Sequence, residues 1–137
     1  MWLLLLLLVP RFEDYAVTER YEGKAATPVL ATKQDRLYRT RLRDAAQGKP
    51  DFAGHYVVSI FGCGASCVMG AVIDAKTGRV TWFPFTICCS TVPVDQYEPV
   101  RYKLSSRLVV FQGMRNEDGH EGTYYYKFDA GRFIPIQ

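Results

Sequence analysis

The sequence predicts a mainly β fold: an antiparallel meander of five or six strands, forming a curled sheet, sandwich or small barrel, with one α-helix packed on it. Three observations predict this. Aromatic residues make up 14% of the chain, with 9 Tyr and 8 Phe, and such side chains favour strands. From His55 onward apolar residues recur at every second position, the period of a pleated strand. Glycine-containing turns separate these segments, and strands joined by short turns pair antiparallel. With 137 residues there is material for one core and not two.

Residues 1–10 begin with an unbroken apolar run, Trp2 to Val9, holding six consecutive leucines and ended by Pro10 and Arg11. A membrane-spanning helix needs about 20 residues. Eight match the apolar region of a signal peptide. No Lys or Arg precedes the run and no A-x-A-like cleavage site follows it. Residues 1–10 therefore read as a truncated or misannotated signal peptide, with a short buried N-terminal segment as the alternative. No later stretch is apolar for 18 residues, so no integral membrane protein is expected.

Residues 11–31 are polar, broken by Gly23 and Pro28, and predict an extended arm with a strand around Tyr15 to Tyr21. Residues 32–137 form the single compact domain. Its helix spans 33–46: Thr32 is an N-cap, Asp35 completes a capping-box pattern, and Gly48 and Pro50 stop it. Leu37, Tyr38, Leu42, Ala45 and Ala46 supply the apolar face. Strands follow at 55–61, 67–73, 79–85, 108–111, 123–128 and 132–136. Asp74-Ala75-Lys76-Thr77-Gly78 places glycine where a type I turn with a bulge needs positive φ, and Asp129-Ala130-Gly131 resembles it. Val57 beside Val58, and Val109 beside Val110, put apolar groups on both faces, so the sheet must be covered on both sides. Two connectors, 86–101 and 113–122, are long enough to be stapled or functional.

Four cysteines, Cys63, Cys67, Cys88 and Cys89, form an even set. In an exported chain that points to disulfides. Cys63 and Cys67 flank a short turn and can reach each other. A bond between the adjacent Cys88 and Cys89 makes a strained ring, so pairing of one or both with Cys63 or Cys67 is expected. A Cys67–Cys88 link is worth roughly 3 kcal/mol on loop-entropy grounds. Four cysteines allow three pairings, and spacing alone selects none.

The segments Phe52-Ala53-Gly54-His55-Tyr56, Gly62-Cys63-Gly64-Ala65-Ser66-Cys67 and Asp74-Ala75-Lys76-Thr77-Gly78-Arg79-Val80 resemble a group of short, exported bacterial proteins of unknown function. The similarity continues through Cys88-Cys89 and Gly122-Thr123-Tyr124-Tyr125-Tyr126 and covers roughly residues 30–136. The resemblance implies export and a compact β domain. It transfers no catalytic residue.

Several side-chain groups are candidates for function. Arg36, Arg39 and Arg43 share one helical face, and residues 33–49 carry six basic and two acidic groups, leaving the rest of the chain near −1. Such a face suits an acidic partner, an anionic surface or a cell-wall polymer. A net charge of +3 is too small to point to nucleic acid. Tyr125 lies on the strand face opposite Tyr124 and Tyr126 and is a recognition candidate. His55 with Cys63 or Cys67 is the arrangement a thiol nucleophile or redox site would need. Glu117, Asp118, His120 and Glu121 are a metal candidate without calcium-loop spacing. No pattern requires a cofactor. The expected function is a small periplasmic or secreted, disulfide-stabilised binding domain that recognises an envelope protein or cell-wall component. An inhibitor or immunity-type protein is the narrower form of this reading. The alternatives are a thiol-based envelope enzyme and a metal-binding protein.

Overall fold

The computed structural model describes residues 9–136. The signal-peptide reading falls almost entirely on residues outside that range. The architecture is a curled, half-barrel antiparallel sheet with helical segments on its outer face, as the strand periodicity predicts. Among the described residues there are eight strands: β1 (Tyr56–Gly62), β2 (Val68–Asp74), β3 (Val80–Trp82), β4 (Ile87–Cys88), β5 (Val100–Arg101), β6 (Leu108–Arg115), β7 (Glu121–Asp129) and β8 (Arg132–Pro135).

The order across the sheet is β1-β2-β4-β6-β7-β8. Two long hairpin units, β1–β2 and β6–β7–β8, are stitched together by short strands. β3 and β4 share the outer edge of β2, and β4 and β5 share that of β6. The meander is therefore interrupted, because β4 and β5 arise from the 86–101 connector, where two-residue strands leave no periodic signal. The expected third strand ends early, at Trp82. Phe83 still donates its N–H to the Gly70 carbonyl at 2.9 Å and by alternation packs on the concave core, as does Phe85; Pro84 between them has no N–H to continue the ladder.

Alternation sorts the side chains onto two faces. The concave face buries Phe52, Val72, Ile87, Val100, Val109, Phe111 and Phe128, with Phe83, Phe85, Tyr124, Tyr126 and Phe133 packed around them. Phe111 is the hub: its ring lies 4.9 Å from Phe85, 5.3 Å from Phe83 and 5.6 Å from Tyr126, all edge-on, the geometry the ring quadrupoles favour. The opposite face of β1–β3 buries Ala71 and Ile73 beneath Leu42, with Val80 and Trp82 beside them.

The predicted single helix is two segments, α1 (Lys33–Leu37) and α2 (Arg39–Ala46), separated by Tyr38 at φ −106° and ψ 24°. The break lets the Tyr38 ring pack against Phe61 at 5.2 Å and Trp82 at 5.5 Å. It also turns Leu37 outward: expected on the apolar face, that side chain is 70% exposed. The capping box is present as predicted. The Asp35 N–H donates to Thr32 Oγ1, and Asp35 Oδ2 accepts from the Ala31 and Thr32 N–H groups, each at 3.0 Å. The other oxygen, Oδ1, accepts from the Trp82 indole at 2.8 Å and ties the helix to β3. Burial pushes the Asp35 pKa up, but the bonds from Trp82, Thr32 and Ala31 outweigh it and hold it below the ordinary value.

The arm contains a 3₁₀ turn at Phe12–Tyr15 and one bridge, Ala16 to Ser106, in place of the strand expected around Tyr15 to Tyr21. Among the described residues, no helix is long and apolar enough to cross a membrane.

Candidate functional site

The arm is laid along the domain by five backbone bonds, one of them from the Arg107 N–H to the Tyr15 carbonyl at 2.9 Å. The N–H groups of Val17, Tyr21, Ala26 and Val29 donate to the carbonyls of Ser105, Gly54, Ala75 and Gly78, at 2.8–3.0 Å. Two glycines permit this approach. Gly54 at φ +86° and Gly78 at φ +83° adopt conformations that L side chains rarely take. A Cβ at Gly54 would sit 2.7 Å from the Glu19 carbonyl oxygen, and one at Gly78 would run into that of Thr27.

Between these anchor points the arm leaves an open cleft of about 1050 Å³. Residues 20–28 form one wall, Arg43 and residues 46–50 the other, and Gly54 and Leu104 complete the lining. Four cations, Arg20, Lys24, Arg43 and Lys49, line it against one acid, Glu22. Arg20 is partly committed, donating to the Val17 and Glu19 carbonyls at 3.2 and 2.8 Å. The C-terminal end of α2 brings partial negative charge to the cleft, and Arg43 and Lys49 oppose it. The excess of cations suits an anionic ligand.

Beside the cleft, His55 Nδ1 lies 3.1 Å from Glu19 Oε2, and Nε2 lies 3.7 Å from Asp74 Oδ1. The ring stacks 4.1 Å from that of Tyr56. Lys76 pairs with the other Glu19 oxygen. The bond from Lys76 is the main reason the Glu19 pKa lies below its ordinary value, with the nearby His55 charge adding to it. A hollow of about 300 Å³ next to this group is lined by Tyr56, Asp74, Arg79 and Thr81. The histidine thus fastens the arm to the β2–β3 turn.

The cysteines lie at the far end of the same hairpin. His55 precedes β1 and Cys63 follows it, so β1's seven residues separate them, about 26 Å at ~3.3 Å per residue. The structure therefore does not form the His55–Cys63–Cys67 constellation. The pairing also differs from expectation. Cys63 is bonded to Cys67 and Cys88 to Cys89, and none of the four is free. Cys63 and Cys67 face each other across the hairpin, with Cα atoms 5.0 Å apart. The adjacent pair closes where Cys89 takes φ +64°. Glu121 grips the residues that follow, accepting from the Ser90 hydroxyl at 2.6 Å and from the Thr91 N–H and hydroxyl at 2.9 and 2.8 Å. These bonds, Ser90's first, hold the Glu121 pKa low.

Glu121 is thereby drawn from the acidic loop group. Glu117, Asp118 and His120 stay exposed on a hairpin whose tip has two consecutive left-handed residues, Asn116 and Glu117, the conformation of a type I′ turn. Among the described residues, no three His, Cys, Asp or Glu side chains converge as metal ligands. Arg36 and Arg39 are exposed on either side of the helix break, and Arg39 donates to the Arg36 carbonyl at 3.0 Å. Of the three arginines, only Arg43 lines the cleft. Tyr125 is half-buried opposite Val110, on the face away from the aromatic core. Arg20, Lys24 and Glu19 were invisible as site residues, because the arm has no local pattern that reveals where it docks.

No family model matches the chain, and comparison with curated proteins and with solved structures gave no match.

Proposed function

We propose that this chain is a small, exported, disulfide-braced binding domain that seats an acidic segment of an envelope protein in the cleft between its arm and α2. The observation that carries the reading is the cleft's composition: four cations against one acid in a space of about 1050 Å³. That volume is at the upper end of ordinary ligand pockets. Export is supported by the two disulfides, which persist in oxidising compartments. The inhibitor or immunity-type role is the narrower form of this proposal.

The test is a nuclear magnetic resonance titration of the full chain with a hexaglutamate peptide. Shifts are expected at Lys24, Arg43, Lys49 and Gly54, weakening with added salt. In the Arg43→Glu/Lys49→Glu double variant they should vanish. Equal shifts in the double variant, or shifts confined to Arg36 and Arg39, overturn the assignment of the cleft.

A further inference from the structure

The two disulfides share one row of the sheet. β2 and β4 pair antiparallel through Val68 and Ile87; continued one residue past the start of β2, that register sets Cys67 opposite Cys88. Ile87 points into the concave core, so Cys67 and Cys88, one residue on, both point to the other face. Cys88 in turn stands opposite Met114 on β6. The sulfur row thus runs from Cys63 and Cys67, in the turn that joins β1 to β2, through Cys88 on β4 to Met114 on β6.

The hydrogen-bond pattern identifies the kind of pair that Cys67 and Cys88 make. The Asn116 N–H donates to the Thr86 carbonyl at 2.9 Å. Alternation along β4 then turns the Cys88 backbone groups toward Met114 as well. The Cys67 carbonyl accepts from the Cys63 N–H at 3.0 Å, on the opposite side. Neither residue directs backbone groups at the other. The register continued from Val68 and Ile87 makes them a non-hydrogen-bonded antiparallel pair, the type whose Cα atoms approach most closely, at about 4.5 Å. That falls within the 4.4–6.8 Å a disulfide spans. Access is unequal: Cys63 and Cys89 are exposed, whereas Cys88 is 0% exposed.

We propose that these four cysteines form a thiol–disulfide exchange site for a partner dithiol, which passes through a Cys67–Cys88 bond. A thiolate of the partner attacks exposed Cys89 Sγ. A mixed disulfide forms, the Cys88–Cys89 bond breaks, and its electron pair leaves on Cys88 Sγ. That thiolate, shielded from solvent, attacks Cys67 Sγ across the row. The Cys67–Cys88 bond forms, the Cys63–Cys67 bond breaks, and Cys63 leaves as a thiolate. The partner's second thiolate attacks its own sulfur in the mixed disulfide and releases Cys89. Cys63 and Cys89 take up the two protons that the partner thiols gave to solvent. The partner is oxidised by two electrons to a disulfide. This chain is reduced by two electrons and keeps one cross-strand link, so its sheet stays braced in both states. The proposal is independent of the cleft and needs no histidine.

The test uses the full oxidised chain with dithiothreitol as the dithiol. One molar equivalent is added, the reaction is quenched in acid, free thiols are alkylated, and the peptides are mapped without reduction. The two-electron-reduced species is expected to carry label on Cys63 and Cys89 and a linked Cys67–Cys88 peptide pair. Label on Cys88 and Cys89 with Cys63–Cys67 retained overturns the proposal, as does label on Cys63 and Cys67 or direct passage to four thiols. A Cys89→Ser variant gives a second reading. Its single free thiol is expected at Cys63, and a free thiol at Cys88 overturns the proposal.

Discussion

Asp35 is the residue on which the placement of the helical segments turns. It is 3% exposed, and its two oxygens accept three bonds: from Ala31 and Thr32 at the start of α1, and from the Trp82 indole on β3. Replacing Asp35 with Ala removes all three acceptor interactions. Thr32 still caps the helix, but loss of the reciprocal half of the capping box, the two bonds from the Ala31 and Thr32 N–H groups, costs about 1 kcal/mol. Loss of a charge-assisted bond that leaves the half-buried indole N–H unpartnered costs about 1.5–3 kcal/mol. The sum is a destabilisation of roughly 2.5–4 kcal/mol, a large share of a typical domain's ~5–15 kcal/mol. Urea unfolding followed by tryptophan fluorescence measures it directly, because Trp82 reports on the contact being lost. The midpoint should fall by about 1–4 M, given typical urea slopes of ~1–3 kcal/mol per molar. The difference between native and variant chains should also depend on pH. The folded Asp35 pKa is depressed below its ordinary value of 3.8. Its stabilisation is therefore fully present above that value and is lost as the pH falls through the folded pKa. A loss below 1 kcal/mol at neutral pH, or a difference unchanged in acid, would refute the account of Asp35 as the ionised tie between helix and sheet.

Two further outcomes follow from the arm and the disulfides. Gly54→Ala forces a Cβ against the Glu19 carbonyl at a positive-φ position, so the arm should lift and become cleavable near residues 18–25. Limited proteolysis with mass spectrometry checks this, and an arm as resistant as the native one contradicts the docking argument. Converting both Cys63 and Cys67 to Ser removes a staple that closes only a short loop, for which the loop-entropy estimate is about 2 kcal/mol. Denaturant midpoints measure the loss, and a loss well above that estimate would mean the bond also holds native packing together.

The division between what was legible in the sequence and what was not follows the range of the interaction. The Thr32–Asp35 cap, the turn at Gly78 and the two-residue period of β1, β2 and β7 are satisfied by residues a few positions apart, so their chemistry is written locally. The same holds for Cys63 and Cys67, which need only the hairpin between them. Cys88 and Cys89 were expected to reach elsewhere, and the fold instead closes the ring between them. The two-residue strands β4 and β5 form because long neighbouring strands offer unpaired edges, and no pattern within 86–101 signals that.

The candidate site was the least legible part. Arg43 is readable as part of a basic stretch, but Arg20 and Lys24 sit in an arm without periodicity. They become its neighbours only because the arm crosses two glycines that lack a Cβ. Likewise, the row joining Cys67 to Cys88 exists only because Val68 and Ile87 pair across 18 intervening residues. By itself the sequence determined the β class, the helix start, the turns and the even cysteine set, since short-range sterics and hydrogen bonding suffice for each. The tertiary structure alone decided which cations share a cleft and which sulfurs share a row. Those proximities are set by strand register and chain crossing, which depend on the packing of the whole core.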